Sequence, residues 1–335
     1  IDLLESGDIF KIYYDRVMIN GLKGNLIDGM VSNIYLKDEI RKLSAPLLGL
    51  KSNAKTTLLT EQILYEGEAL GVNYEVTLEI KDNIYYYHVV LSGKGLYSLY
   101  FTQDVGLNEE IVILNNEAYN GQYLDHRILK NNESIVSLTR QNMGRPHLLQ
   151  LGANEKLVSY STDMLQFFGL SYKETNKPEA LIKEELADEI MQYEMPFIAL
   201  KTQSFKLADK KNITFYGLYN DEEDAILEEP MEVYFPTFTK TEKIREFSFK
   251  KANIKGQING EDFTCQEINK QSMECKEEKE GELLSFFTGN HHYVLKKKEL
   301  LTERPHGNIM LSGEILKAGN VFAVSNFIYG VFGSR

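Results

Sequence analysis

Residues 100–152 read YFTQDVGLNEEIVILNNEAYNGQYLDHRILKNNESIVSLTRQNMGRPHLLQLG, and the fold class turns on how this stretch is parsed. Four short apolar runs, at 99–101, 110–114, 134–138 and 148–151, are brief, β-branched or aromatic, and bounded by Asn, Gly or Pro, so each predicts a strand. The connections between them are unusual for turns. They carry Asn115, Asn116, Glu117, Tyr119, Asn120, Gln122, Tyr123, Asp125, His126, Arg140, Gln141 and Asn142. Amides and carboxylates offer directed donors and acceptors, and Tyr offers a flat apolar face with a polar tip, a set that suits a polyhydroxylated ligand. The same groups suit a buried polar seam between two sheets or domains, with every amide satisfied inside the protein. At the level of sequence both readings stand.

Upstream, strand-like runs follow one another at 9–14, 17–20, 34–36, 62–65, 74–80, 84–91 and 96–101, punctuated by Asn20-Gly21, Asp28-Gly29, Lys81-Asp82-Asn83 and Gly93-Lys94-Gly95. The clearest hairpin joins 74–80 to 84–91. Tyr74, Val76, Leu78 and Ile80 alternate with Glu75, Thr77 and Glu79, which predicts one packed face and one wet face, as in an antiparallel sheet. Tyr85, Tyr86 and Tyr87 are consecutive and must point to alternate faces, so they form no single platform.

Downstream, Ser161 or Thr162 is placed to cap a short helix ending at Gly169. A second helix is expected from Asn176, with an early Pro178, an acid at Glu179, and Ile182, Leu186 and Ile190 at fourfold spacing. Strands are expected again at 197–200, 203–207, 213–219 and 231–235, with a short acidic helix over NDEEDAILEE, 220–229. From 250 to 282 the chain turns polar, including CKEEKEGE at 275–282, and reads as a projecting hairpin or excursion rather than a domain boundary. Strand-like runs at 291–295, 308–311 and 321–331 close it.

Length and composition bound the function. With 335 residues, 20 Tyr, 17 Phe and only 7 Pro, the chain buries a large core and suits twisted sheets. A net charge of -12 argues against a nucleic-acid backbone or an anionic membrane, both of which need clustered Lys and Arg. No run approaches a membrane span, and the N-terminal IDLLESGDIFKIYY lacks a basic region followed by an apolar one, so a cytoplasmic protein is expected. The two cysteines, Cys265 and Cys275, sit in a polar segment with no disulfide framework and are read as reduced.

Specific chemistry is sparse. His291 and His292 are adjacent and face opposite sides of a strand, and the cysteines lack a second ligand pair at zinc spacing, so no metal site is expected. Phosphate loops of the GxxxxGK[ST] or GxGxxG kind and the GxSxG elbow are missing. Glycoside cleavage needs only suitably separated carboxylates, so Asp104, Glu117 and Asp125 are candidates, with His126 as a base or, equally, a hydrogen-bonded strut.

The segments at 103–128, 140–152, 162–169, ITFYGLYNDEEDA at 213–225, ERPHGNIMLSG at 303–313 and FIYGVFGS at 327–334 resemble the N-terminal part of 1,2-β-oligoglucan phosphorylases. Those are relatives of cellobiose phosphorylase in glycoside hydrolase family 94. The resemblance implies an all-β fold, a large two-layer antiparallel β-sandwich of the supersandwich, mutarotase-like kind with a few short helices. It implies one N-terminal module over 1–335, with a polar excursion over about 250–282, and a catalytic (α/α)6 barrel that is not present in this chain. In the family, phosphate attacks the anomeric carbon with inversion, helped by an Asp of the barrel. No catalytic residue is therefore expected here, no cofactor beyond phosphate as co-substrate of the parent, and no metal.

The implied partners are the chain's own barrel, a second copy in a homodimer, and a β-glucan oligosaccharide. Interface or sugar-contact candidates are Asp104, Asn116, Glu117, Tyr119, Gln122, Asp125, His126, Arg140, Asn142, Arg304 and His306. The rival reading is a self-contained carbohydrate-binding or mutarotase-like protein.

Overall fold

The structure is a computed structural model. It describes residues 2–3, 10–21, 24–25, 29–49, 51–52, 54–115, 117–129, 133–139, 146–170, 172, 177–191, 195–221 and 229–247, the backbone alone at 2–3, 24–25, 29–30, 114, 117–119, 245 and 247, and beyond 247 the backbone of the strands named below. The chain divides into two compact units, the first over 1–23, 30–172 and 177–247, the second built on Ser248–Arg335 with 24–29 and 173–176.

In the first unit the strands of the two large sheets begin with β1 (Asn33–Asp38), β2 (Leu43–Pro46), β3 (Lys55–Leu59), β4 (Gln62–Ala69), β5 (Val72–Lys81), β6 (Ile84–Ser92) and β7 (Gly95–Asp104). After helices α1 (Glu110–Asn115) and α2 (Glu117–Gln122) come β8 (Leu124–Leu129), β9 (Ser134–Thr139), β10 (Leu148–Ala153) and β11 (Leu157–Asp163). Helices α3 (Met164–Phe168) and α4 (Glu179–Lys183) precede β12 (Pro196–Thr202), β13 (Phe205–Leu207), β14 (Lys210–Asn220) and β15 (Lys243–Phe247). One sheet has nine strands in the order β8-β9-β10-β14-β6-β5-β4-β3-β15. The other has six, β11-β12-β7-β1-β2 with β13 also on β7. Every pairing in both is antiparallel.

Rings close the space between the two sheets. Phe101 of the six-stranded sheet stacks on Phe215 of the nine-stranded one, centroids 5.0 Å apart, and Tyr87 of the larger sheet meets Phe101 at 5.3 Å. All three are buried, and each such ring removed from water contributes about 1.5–3 kcal/mol. The Tyr85 ring lies against Gly217, where a Cβ would collide with it, so this glycine is there for close approach. Tyr85 and Tyr87 face this core and Tyr86 faces away, as consecutive strand residues must. The β5–β6 hairpin turns on Asp82-Asn83, with Asp82 at φ 53.

Several local expectations change. The 110–114 run is not a strand but helix α1, in which Ile113 is buried and Ile111 is 63% exposed. Ile113 packs down on Gly106 rather than into a ladder, so tertiary contact overrides β propensity. The cap of α3 is Asp163, next to the two expected hydroxyls. Its carboxylate accepts the Leu165 N–H at 2.7 Å while the Gln166 side chain accepts the Thr162 and Asp163 N–H groups. Helix α4 begins after Pro178 and covers one turn only. Most of the acidic helix expected at 220–229 lies outside the described residues.

The hairpin face expected to be wet is largely dry. Thr77 and Glu79 are buried, because the segment 230–242 runs across the outside of the large sheet. Glu79 compensates for its burial by accepting the Gln62 Nε2–H at 2.6 Å and pairing with Lys81 at 2.8 Å. The expected strand at 231–235 is this crossing segment, extended but outside any ladder.

In the second unit, Ala252–Ile258 pairs antiparallel with Glu261–Ile268, so the polar excursion contains a hairpin. Glu261–Ile268 runs parallel to Ile315–Ala318, which pairs with Val321–Val324. A separate meander joins Lys276–Glu277, Leu283–Thr288, His291–Lys296, Glu299–Arg304 and Gly307–Ser312. Among the described residues no helix is long and apolar enough to cross a membrane.

Candidate functional site

Several of the amides described in the 100–152 run bond to the backbone. Asn120 Nδ2 donates to the Gly106 carbonyl at 2.8 Å while its Oδ1 accepts from Asn108 Nδ2 at 2.9 Å. Asn120 is buried, so these bonds replace water that cannot reach it. Asp104, at the end of β7, is buried and held by Ser32, whose hydroxyl donates to the carboxylate and accepts the Asp104 N–H at 3.0 Å.

His126 lies on β8, buried, with Nδ1 2.9 Å from the Ser137 hydroxyl. Burial lowers its pKa to about 4, against a smaller opposing pull from Asp125, so at neutral pH the ring is an uncharged strut across β8 and β9. Asp125 is half-buried and Gln122 exposed. Asp104 and His126 belong to different sheets, and nothing described brings them to one face. Asn116, Arg140, Asn142 and His306 lie outside the described residues, as do the side chains of Glu117, Tyr119 and Arg304.

A concave feature among the described residues of the first unit lies elsewhere, beneath the crossing segment 230–242. Met231, Val233 and Phe235 turn toward the sheet, and Glu232 and Tyr234 turn away. The inward residues pack with Phe238 on Tyr86, Tyr216 and Leu218. Two glutamines fix the segment's height. Gln150, fully buried, donates from Nε2 to the Met231 carbonyl at 3.0 Å and accepts the Met231 N–H through Oε1 at 2.8 Å. Gln62 donates to the Thr239 carbonyl at 2.9 Å and accepts the Thr241 N–H at 3.2 Å. Each side-chain amide thus stands in for a strand neighbour. The Tyr86 hydroxyl adds a bond to the Tyr234 carbonyl at 2.8 Å, and Lys240 pairs with Glu75 at 2.6 Å.

Where the segment first meets the sheet it leaves a cleft of about 620 Å³. Its floor is Tyr216, Phe235, Met231 and Val233; its far wall is the β10–β11 connection, Ala153 to Leu157; Glu133 stands at the rim. Tyr216 and Phe235 meet edge-on at 5.7 Å, and the Tyr216 hydroxyl accepts from Gln150 at 2.9 Å. Asn154 is pinned through Oδ1, which accepts the Thr214 N–H at 2.8 Å. Glu155 is ion-paired with Lys211. Such a cleft can hold a ligand by contact and hydrogen bonding. Among the described residues no cluster of His, Cys, Asp and Glu is arranged to hold a metal.

Sequence reading placed several of these residues in expected strands or resemblance blocks, at 140–152, 213–225 and 231–235, but gave none of them a part in a ligand site. The available signal was the outward face of β14, where Tyr216 and Leu218 are apolar on the side an open sheet would wet, so a further layer had to cover them.

Residues 2–217 match the family described as SOGP N-terminal domain, and residues 270–335 match the glycoside phosphorylase supersandwich domain. Among curated proteins, the 1,2-beta-oligoglucan phosphorylase of Listeria innocua serovar 6a is 27% identical over 342 residues, which take in 98% of this chain and 31% of that protein. The chain therefore spans under a third of the relative's length. Among solved structures, a bacterial glucoamylase complexed with acarbose aligns at 9% identity and a TM-score of 0.40, covering 65% of this chain and 30% of its own. A human-microbiome protein assigned as a kojibiose phosphorylase aligns at 12% identity and a TM-score of 0.34, covering 64% and 30%. Likenesses this distant carry no argument.

Proposed function

This chain belongs to the SOGP N-terminal domain family and is related to glycoside phosphorylases, and from that premise we propose that it is the non-catalytic N-terminal module of a phosphorylase acting on β-1,2-glucan. The parent would convert linear β-1,2-glucan and phosphate to glucose 1-phosphate and a shorter glucan, as a cytoplasmic homodimer. Bond breaking would belong to a barrel further along the polypeptide. The module would contribute contacts to that barrel and to the second subunit, and wall part of the substrate cleft.

The carrying observation is the lopsided alignment, 98% of this chain against 31% of the relative, which leaves most of that protein without a counterpart here. The described chemistry agrees: Asp104 and His126, two of the groups a reaction would call on, are buried and tied to serines. The test is glucose 1-phosphate release from sophorose or longer β-1,2-glucan plus phosphate. We expect none from residues 1–335, and phosphorolysis from a polypeptide in which the proposed barrel follows these residues. Release by the 335-residue chain alone overturns the non-catalytic assignment. Failure of the extended polypeptide on β-1,2-glucan overturns the substrate.

A further inference from the structure

The cleft beneath the crossing segment has no part in the role proposed above, yet it has the attributes of a small-molecule site. Its volume of about 620 Å³ falls inside the roughly 300–1,000 Å³ typical of such sites. It is preformed, because the Gln150 amide holds both polar groups of the Met231 peptide and so fixes that part of the lining in place. A preformed wall spares the ligand the cost of ordering it.

The lining selects among ligand classes. Glu155 is neutralised by Lys211, leaving Glu133 and Lys156 as opposite charges on the rim. That balance disfavours a phosphate or another anion, which would need a surplus of cations. A purely apolar ligand would strip water from Glu133, Asn154 and Lys156 without replacing its hydrogen bonds. What fits is a neutral molecule with an apolar face and many hydroxyls. The face would lie on Phe235 and the edge of Tyr216, and the hydroxyls would donate to Glu133 and accept from Asn154 and Lys156.

We propose that this cleft is a saccharide-binding subsite, taking a short glucan segment on the outer face of the nine-stranded sheet. The choice of a glucose polymer rests on the reading of the parent as a glucan phosphorylase; the choice of a neutral polyol rests on the cleft alone. Such a subsite would hold one part of a long glucan while another part reacts, adding effective concentration without chemistry.

The experiment is a titration of residues 1–335 with β-1,2-linked glucotriose to glucopentaose, followed by calorimetry and by ligand-observed saturation-transfer NMR. The expected result is saturable binding in the millimolar range or tighter. Phe235→Ala should weaken it by about tenfold. Because Phe235 also packs the segment, Glu133→Ala is the second variant: Glu133 is exposed, its loss leaves the packing intact, and affinity should fall severalfold. Tyr234→Ala, on the outward side of the segment and 78% exposed, should bind as the parent chain does.

Absence of binding at about 10 mM oligosaccharide, well above a millimolar Kd, overturns the proposal. So does binding unchanged in both Phe235→Ala and Glu133→Ala, or loss only in Tyr234→Ala. Phosphorolysis by the extended polypeptide is a separate readout, so failure here leaves the phosphorylase reading standing, and the reverse holds too.

Discussion

Replacing Gln150 by Met tests whether the crossing segment is held by one buried amide. Met is nearly the same length as Gln, so the change removes hydrogen bonding without opening a cavity. Three bonds go: Nε2 to the Met231 carbonyl at 3.0 Å, Nε2 to the Tyr216 hydroxyl at 2.9 Å, and the Met231 N–H to Oε1 at 2.8 Å. Neutral bonds contribute about 0.5–1.5 kcal/mol each, and a group left buried without a partner costs more. Met231 is half-buried, so water can reach its peptide once the segment lifts, which trims the penalty.

The balance is a loss of about 2–3 kcal/mol, which in a unit of this size lowers Tm by about 5–10 °C. Urea unfolding followed by near-ultraviolet circular dichroism, whose signal here comes from Tyr and Phe, gives the free energy. Amide exchange at Met231 gives the location, and its protection should collapse before that of β14. A change below about 0.5 kcal/mol with Met231 still protected would refute the reasoning, since the segment would then be held by its apolar side chains alone.

The pH dependence follows from His126. Its folded pKa of about 4 lies below the ordinary imidazole value of 6.5, so between those values the unfolded chain takes up a proton that the folded chain refuses. Its contribution is therefore complete above pH 6.5 and is lost as pH falls toward 4. The shift corresponds to an order of about 3 kcal/mol. Urea midpoints should drop between pH 7.5 and 4.5, and less steeply in His126→Gln; equal slopes would refute it. Gly217→Ala should destabilise by about 1–3 kcal/mol or more, because the buried Tyr85 ring has nowhere to go. Gly71→Ala, with open space around it but φ +81, should cost about 1 kcal/mol from backbone strain alone. Thermal melts that rank these two the other way would refute the close-approach reading of Gly217.

Much of the strand inventory was legible locally. The pairing of 74–80 with 84–91, the Asp82-Asn83 turn and the alternate facing of the consecutive tyrosines on β6 depend on neighbours one or two residues away, and the structure agrees with each. The wet face that the 74–80 alternation predicted is, by contrast, largely buried. The α3 cap was legible to within a residue or two, because capping is a contact across three positions. Family resemblance reached further than periodicity, since only it pointed to a supersandwich rather than to strands in general.

Other features were set by residues far apart in the chain. Gln150 clamps Met231 across 81 positions and Gln62 holds Thr239 across 177, so no window of sequence shows that 230–242 lies on the sheet. That contact dries Thr77 and Glu79, denies 231–235 a ladder, and forms the cleft beside Tyr216. Likewise, whether Asn120 or His126 serves a ligand or the protein depends on what lies opposite. Gly106 and Ser137 answer that for these two, and composition could not. A residue's type states which bonds it can make; burial by distant chain decides which of them it must make.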